Sequence, residues 1–122
     1  MDRDRFRELV ARAIDSLPED FRDKMQNVDV VVADWPPPRE LARLKRGQTL
    51  LGLYQGVPIT KRSSHYGLVA PDKISIFQKP IEARCQSEAK IIAEIERVVR
   101  HEIAHHFGIG DRRLKQLERG QD

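Results

Sequence analysis

Two histidines, His101 and His105, stand four residues apart near the end of the chain, with Glu102 directly after the first. On a helix, residues at i and i+4 lie one turn apart on the same face. Both imidazoles can then reach one metal ion, at N–metal distances of about 2.0–2.1 Å. Glu102 lies about 100° around the helix from His101, beside such an ion rather than on it. A carboxylate in that position can take a proton from a water that the metal activates. The run continues through His106, Phe107, Gly108, Ile109 and Gly110 to Asp111, which completes the pattern HExxHxxGxxD. Gly108 allows a sharp backbone turn, after which Asp111 can return as a third, oxygen ligand. Asp111 can equally cap a following short helix. Three protein ligands would leave the fourth position of a zinc ion open, which is the arrangement of a catalytic site.

A second argument does not use the motif. Ile95, Val98 and Val99 precede Glu102 by seven, four and three residues, so Glu102 falls on the apolar arc of its helix. A carboxylate on a buried face is costly unless it is paired, and a shared metal or water would supply the reason for it. His106 also falls near that arc and reads as a core histidine or one supporting the site from behind. His65, in the run Ser63-Ser64-His65-Tyr66, reads as a surface-loop histidine that could also reach the site as a ligand or hydrogen-bond donor.

The elements that must position these residues follow from periodicity. Phe6, Leu9, Val10, Ala13, Ile14 and Leu17 recur at helical spacing, and Pro18 ends that helix. Glu19 and Asp20 suit the start of a second short helix reaching about Met25. Residues 28–35 are rich in β-branched side chains and read as a strand closed by three prolines. One or two helical turns are expected at 40–46, a strand at 50–54, and a loop at 60–67. Residues 73–78 alternate polar and apolar side chains like a half-buried strand, and Pro80 closes it. From Glu82 to Phe107 one unbroken helix is expected, with Gly108 at its C-terminal end and a last short helix over 111–118.

Composition narrows the classes. The chain has 122 residues, 39% apolar and 34% charged, and is expected to form a single domain over its whole length. No apolar run is long enough to cross a bilayer, and residues 1–17 lack the apolar stretch of a secretory signal, so a cytoplasmic protein without membrane contact is expected. The one cysteine, Cys85, cannot form an internal disulfide or a Cys-based zinc site, and reads as a small core residue. Net charge is +3, with basic clusters at Arg39, Arg43, Lys45 and Arg46 and at Arg112, Arg113, Lys115 and Arg119. No aromatic residues interleave with these clusters, which argues against nucleic-acid binding.

These residues resemble the zincin-like family of small zinc metallopeptidases, the minimal metalloprotease-like domain. The resemblance extends past HExxHxxGxxD to Leu50-Leu51-Gly52-Leu53-Tyr54 with Gly56-Val57-Pro58, to Pro71-Asp72-Lys73-Ile74, and to Pro80-Ile81-Glu82. It implies an α+β fold in which a small sheet of three or four strands packs against the long metal-binding helix, with further helices at the N-terminus. It also implies one zinc ion held by His101, His105 and Asp111, with Glu102 as general base. The signature is close to that of the metzincins, with Asp111 where they carry a third histidine. Those enzymes place a methionine turn beneath the metal, whereas the only methionines here are Met1 and Met25. The resemblance implies hydrolysis of a peptide or protein substrate, with a monomer as the expected state. Zincins commonly hold substrate as an added strand, and residues 50–54 or 73–78 could supply the sheet edge. A rival expectation is a non-catalytic, zinc-stabilised interaction module, for which His65 would be the fourth ligand.

Overall fold

The computed structural model describes residues 1–44, 50–56 and 71–108. His65, Asp111, the expected loop at 60–67 and the expected helix at 111–118 lie outside the described residues.

The first helix, α1 (Arg3–Asp15), begins where the Asp2 side chain accepts a hydrogen bond from the Arg5 amide at 2.8 Å. That bond satisfies one of the amides a helix start leaves without a partner. Phe6, Leu9, Val10 and Ala13 form its buried stripe. A short α2 (Glu19–Lys24) adds Phe21 to the core, and Asn27 then takes a positive φ of 58° before the first strand.

Strand β1 (Val28–Ala33) is followed by the one-turn α3 (Pro38–Leu41), by β2 (Gly52–Gln55) and by β3 (Asp72–Phe77). The sheet order is β1-β3-β2. β1 runs parallel to β3, with Val30 opposite Ile74, and β2 runs antiparallel to it, with Tyr54 opposite Ile74 on the other side. β1 stops at Ala33 rather than Trp35, because the Asp34 carbonyl turns to accept the Lys79 amide and Trp35 is left exposed. The expectation that residues 73–78 could offer a sheet edge is overturned. β3 is the central strand, flanked on both sides, and among the described residues β2 is an edge.

One unbroken helix from Glu82 is also overturned. The structure has two helices, α4 (Gln78–Arg84) and α5 (Glu88–His106). Cys85 is extended, and the Ser87 hydroxyl accepts from the Lys90 amide at 3.2 Å to start α5 afresh. The capping serine is the physical cause, and helical propensity through this stretch does not reveal it. Pro80 does not close a strand; it sits in the first turn of α4, where its missing N–H is not needed. Cys85 lies at the break, half-buried against the core.

The core lies between one face of the sheet and the pair α1 and α5. Ile91, Ile95, Val99 and Ile103 recur every four residues along α5 and meet Phe6, Leu9, Phe21, Ile74 and Ile76, all buried. Arg5 ties α1 to α5 through Glu88, with 2.8 Å from Nε to Oε2. Gln78 is buried at the start of α4 and fully engaged. It accepts from Arg3 Nε at 2.7 Å and donates to the Met1 carbonyl at 2.9 Å and to Glu82 at 3.0 Å. This mixed α+β arrangement has the small sheet, long helix and N-terminal helices that the sequence led us to expect. Among the described residues no helix is long and apolar enough to cross a membrane.

Candidate metal centre

The C-terminal turns of α5 carry His101, Glu102 and His105. The apolar stripe of α5 fixes which way they point, since Ile95, Val98 and Val99 are buried against the sheet and α1. His101 and Glu102 are half-buried and His105 is exposed. The two imidazole centroids are 6.5 Å apart with their planes at 62°. Imidazoles sharing one tetrahedral ion would have centroids roughly 5 Å apart. Both imidazoles stand on one helix face, as a chelating pair requires, about 1.5 Å wider than a shared ion would draw them. Among the described residues no group of three or more His, Cys, Asp or Glu could hold a metal ion. The pair is therefore incomplete within them, and Asp111, the expected third ligand, lies beyond.

Glu102 is held from across the sheet. Its Oε1 accepts the backbone amide of Tyr54, on the outer edge of β2, at 3.0 Å. Burial pushes the carboxyl above the usual carboxylate range, while the Tyr54 amide and the neighbouring His105 and His101 pull it back. The apolar-arc argument thus finds a physical counterpart: the acid is partly desolvated and bonded to backbone.

Tyr54 engages the end of α5 as well. Its hydroxyl donates to Asp72 Oδ2 at 2.7 Å, and its ring stacks on His106 with centroids 4.0 Å apart. His106 Nε2 lies 3.8 Å from the same Asp72 oxygen, and Phe107 packs edge-on against both rings. His106 is exposed, and the expectation of a core histidine does not hold. The physical reason is its place on the last residue of α5, where its ring meets a tyrosine of the edge strand instead of the apolar interior. Two glycines permit the close approach of strand and helix. A Cβ on Gly52 would meet Val98 Cγ1 at 2.5 Å, and one on Gly56 would meet His106 Cε1 at 2.9 Å. After α5, Gly108 takes a φ of +68°, the left-handed conformation expected where the chain turns away.

Tyr54, Asp72, Gly52 and Gly56 escaped the reading of the sequence as parts of the site. No spacing signals them, since Tyr54 and Glu102 are 48 residues apart and meet only through the sheet.

A family model described as zincin-like metallopeptidase matches residues 25–121. No curated protein matches. A solved structure of a conserved hypothetical protein from Thermo thermophilus is similar, with a TM-score of 0.54 and 25% identity over 88% of this chain and 94% of that one. The family match leaves out α1 and α2 but takes in all three strands and the whole of α5, the frame that brings Tyr54 against Glu102. On that match the chain belongs to the zincin-like metallopeptidase family.

Proposed function

We propose that the chain is a zinc-dependent peptidase in which His101, His105 and Asp111 hold one zinc ion and Glu102 is the general base. The observation that carries this reading is the placement of Glu102. It is a half-buried carboxylate between two histidines of one helix face, fixed to the amide of an edge strand. A structural acid would be expected to pair with a cation, whereas this one is held by a neutral backbone donor and has imidazoles on either side.

A zinc ion held by His101, His105 and Asp111 would supply Lewis acidity, to polarise the peptide carbonyl and acidify the attacking water. Glu102 accepts the proton of that water and returns it to the leaving amine, which balances the hydrolysis. The Tyr54 amide keeps the carboxylate aimed while it is ionised. β2 is the edge along which a substrate could add as a further antiparallel strand. Alternation along β2 turns the Gly52 amide to the same side as that of Tyr54, so the added strand would run past the base.

The test is metal analysis of the purified protein beside two classes of variant. Wild type is expected to hold about one zinc per chain, and His101→Ala or His105→Ala to lose it. Glu102→Gln is expected to keep the zinc and to lower the turnover of a cleaved peptide by about 10²–10⁴. Zinc retained at full occupancy in the histidine variants would refute the ligand assignment, and normal turnover by Glu102→Gln would refute the base.

A further inference from the structure

Beside the two motif residues His101 and Glu102 a cleft of about 180 Å³ opens between the start of β2 and α5, and its remaining wall includes the side chains of Arg84 and Arg97. The two arginines differ. Arg97 is occupied, donating through Nε at 3.1 Å and through Nη2 to Glu94, one turn earlier on the same helix. Arg84 ends α4, is exposed, and its side chain makes no hydrogen bond or ion pair among the described residues. The interruption between the two helices at Cys85–Ser87 ends α4 at Arg84, which lines the cleft. Among the described residues the only acid in the cleft wall is Glu102, whose Oε1 is already bonded to Tyr54. The cleft wall therefore carries an uncommitted guanidinium together with the proposed catalytic groups. Its volume suits a single side chain or chain end.

We propose that this cleft is a subsite for a carboxylate next to the scissile bond, with Arg84 as its specificity-determining residue. The inference rests on the peptidase reading and names its substrate class: peptides bearing either an acidic side chain or a free C-terminal carboxylate at that position. A guanidinium recognises both through the same paired N–H donors, and its planar fork favours a carboxylate over a neutral amide. Leu51, in the cleft wall, gives the intervening methylene groups an apolar surface.

The experiment uses the full chain and four matched peptides, the fourth in two forms. One has an internal Glu at the tested position, one has Gln there, one has Lys, and one ends at that position with its C-terminus either free or amidated. Two readouts are taken: kcat/KM of the zinc-loaded protein, and Kd for the same fluorescently labelled peptides with the metal-free protein. The Glu peptide or the free C-terminus is expected to be favoured about ten-fold over its neutral counterpart in both readouts, and the ratio to shrink as salt is raised. Whichever of the two is favoured identifies the source of the carboxylate. Arg84→Glu is expected to invert the order in favour of Lys, and Arg84→Lys to keep the order with a smaller ratio. Equal treatment of the charged and neutral member of both pairs, or an order unchanged in Arg84→Glu, overturns the subsite while leaving any observed cleavage intact. Ranked binding without cleavage of any peptide supports the subsite and refutes the peptidase reading.

Discussion

Replacing Gly52 with alanine adds one methyl group at the point where β2 passes beneath α5. Its Cβ would stand 2.5 Å from Val98 Cγ1 and 3.1 Å from the Ser75 carbonyl oxygen. Comfortable carbon contacts begin near 3.5–4.0 Å, so the overlap with Val98 is about 1 Å. Neither neighbour can yield alone. A helical valine has essentially one χ1 rotamer, and Ser75 belongs to the central strand, paired on both sides. The strain must instead lift α5 away from β2, at an expected cost of about 1–3 kcal/mol. For a chain of this size that lowers Tm by on the order of 5–10 °C. Glu102 follows Val98 by one helical turn, so the same displacement stretches the 3.0 Å bond from the Tyr54 amide and shifts His101 with it. Zinc affinity should therefore fall along with stability. Urea unfolding of the metal-free protein and competitive zinc titration measure the two effects. Val98→Ala removes the obstructing methyl, so the double variant should lose at least about 0.5 kcal/mol less than the two single losses combined. A neutral Gly52→Ala, or strict additivity with Val98→Ala, would refute the argument.

Two further substitutions probe other parts of the frame. Asp111→Ala should weaken zinc binding strongly if Asp111 is the third ligand, and Asp111→His should restore much of it. If Asp111 only caps a helix, Asp111→Ala costs about 1 kcal/mol of stability with zinc affinity unchanged, and that result in a zinc titration would exclude the ligand role. Gln78→Ala removes the partner of Arg3 Nε and of the Met1 carbonyl, and should cost about 1–3 kcal/mol in urea unfolding. The neighbouring exposed Lys79→Ala should stay within about 0.5 kcal/mol, and equal effects of the two would show that the buried amide network does not stabilise the fold.

The sequence alone determined what depends on geometry within one element. Helical periodicity put His101 and His105 on one face, put Glu102 on the apolar arc among Ile95, Val98 and Val99, and identified α1 from its repeating apolar residues. The β-branched run at Val28 marked β1, and the motif with its flanking residues identified the family. Periodicity was silent where two helix-compatible stretches meet. The break at Cys85–Ser87 depends on one serine bonding to the Lys90 amide in place of continued helix, and apolar spacing does not register that choice. It was silent again between elements. Residues 50–54 and 73–78 looked alike as strands, and only the order β1-β3-β2 made one an edge among the described residues and the other the centre. The Tyr54 amide bonded to Glu102, the Tyr54 ring on His106, and the clearance that Gly52 and Gly56 give to α5 all join residues dozens of positions apart. Such contacts are set by sheet register and by the packing of a helix across it. A local pattern therefore predicted which side chains share a face, and tertiary assembly alone decided what that face meets.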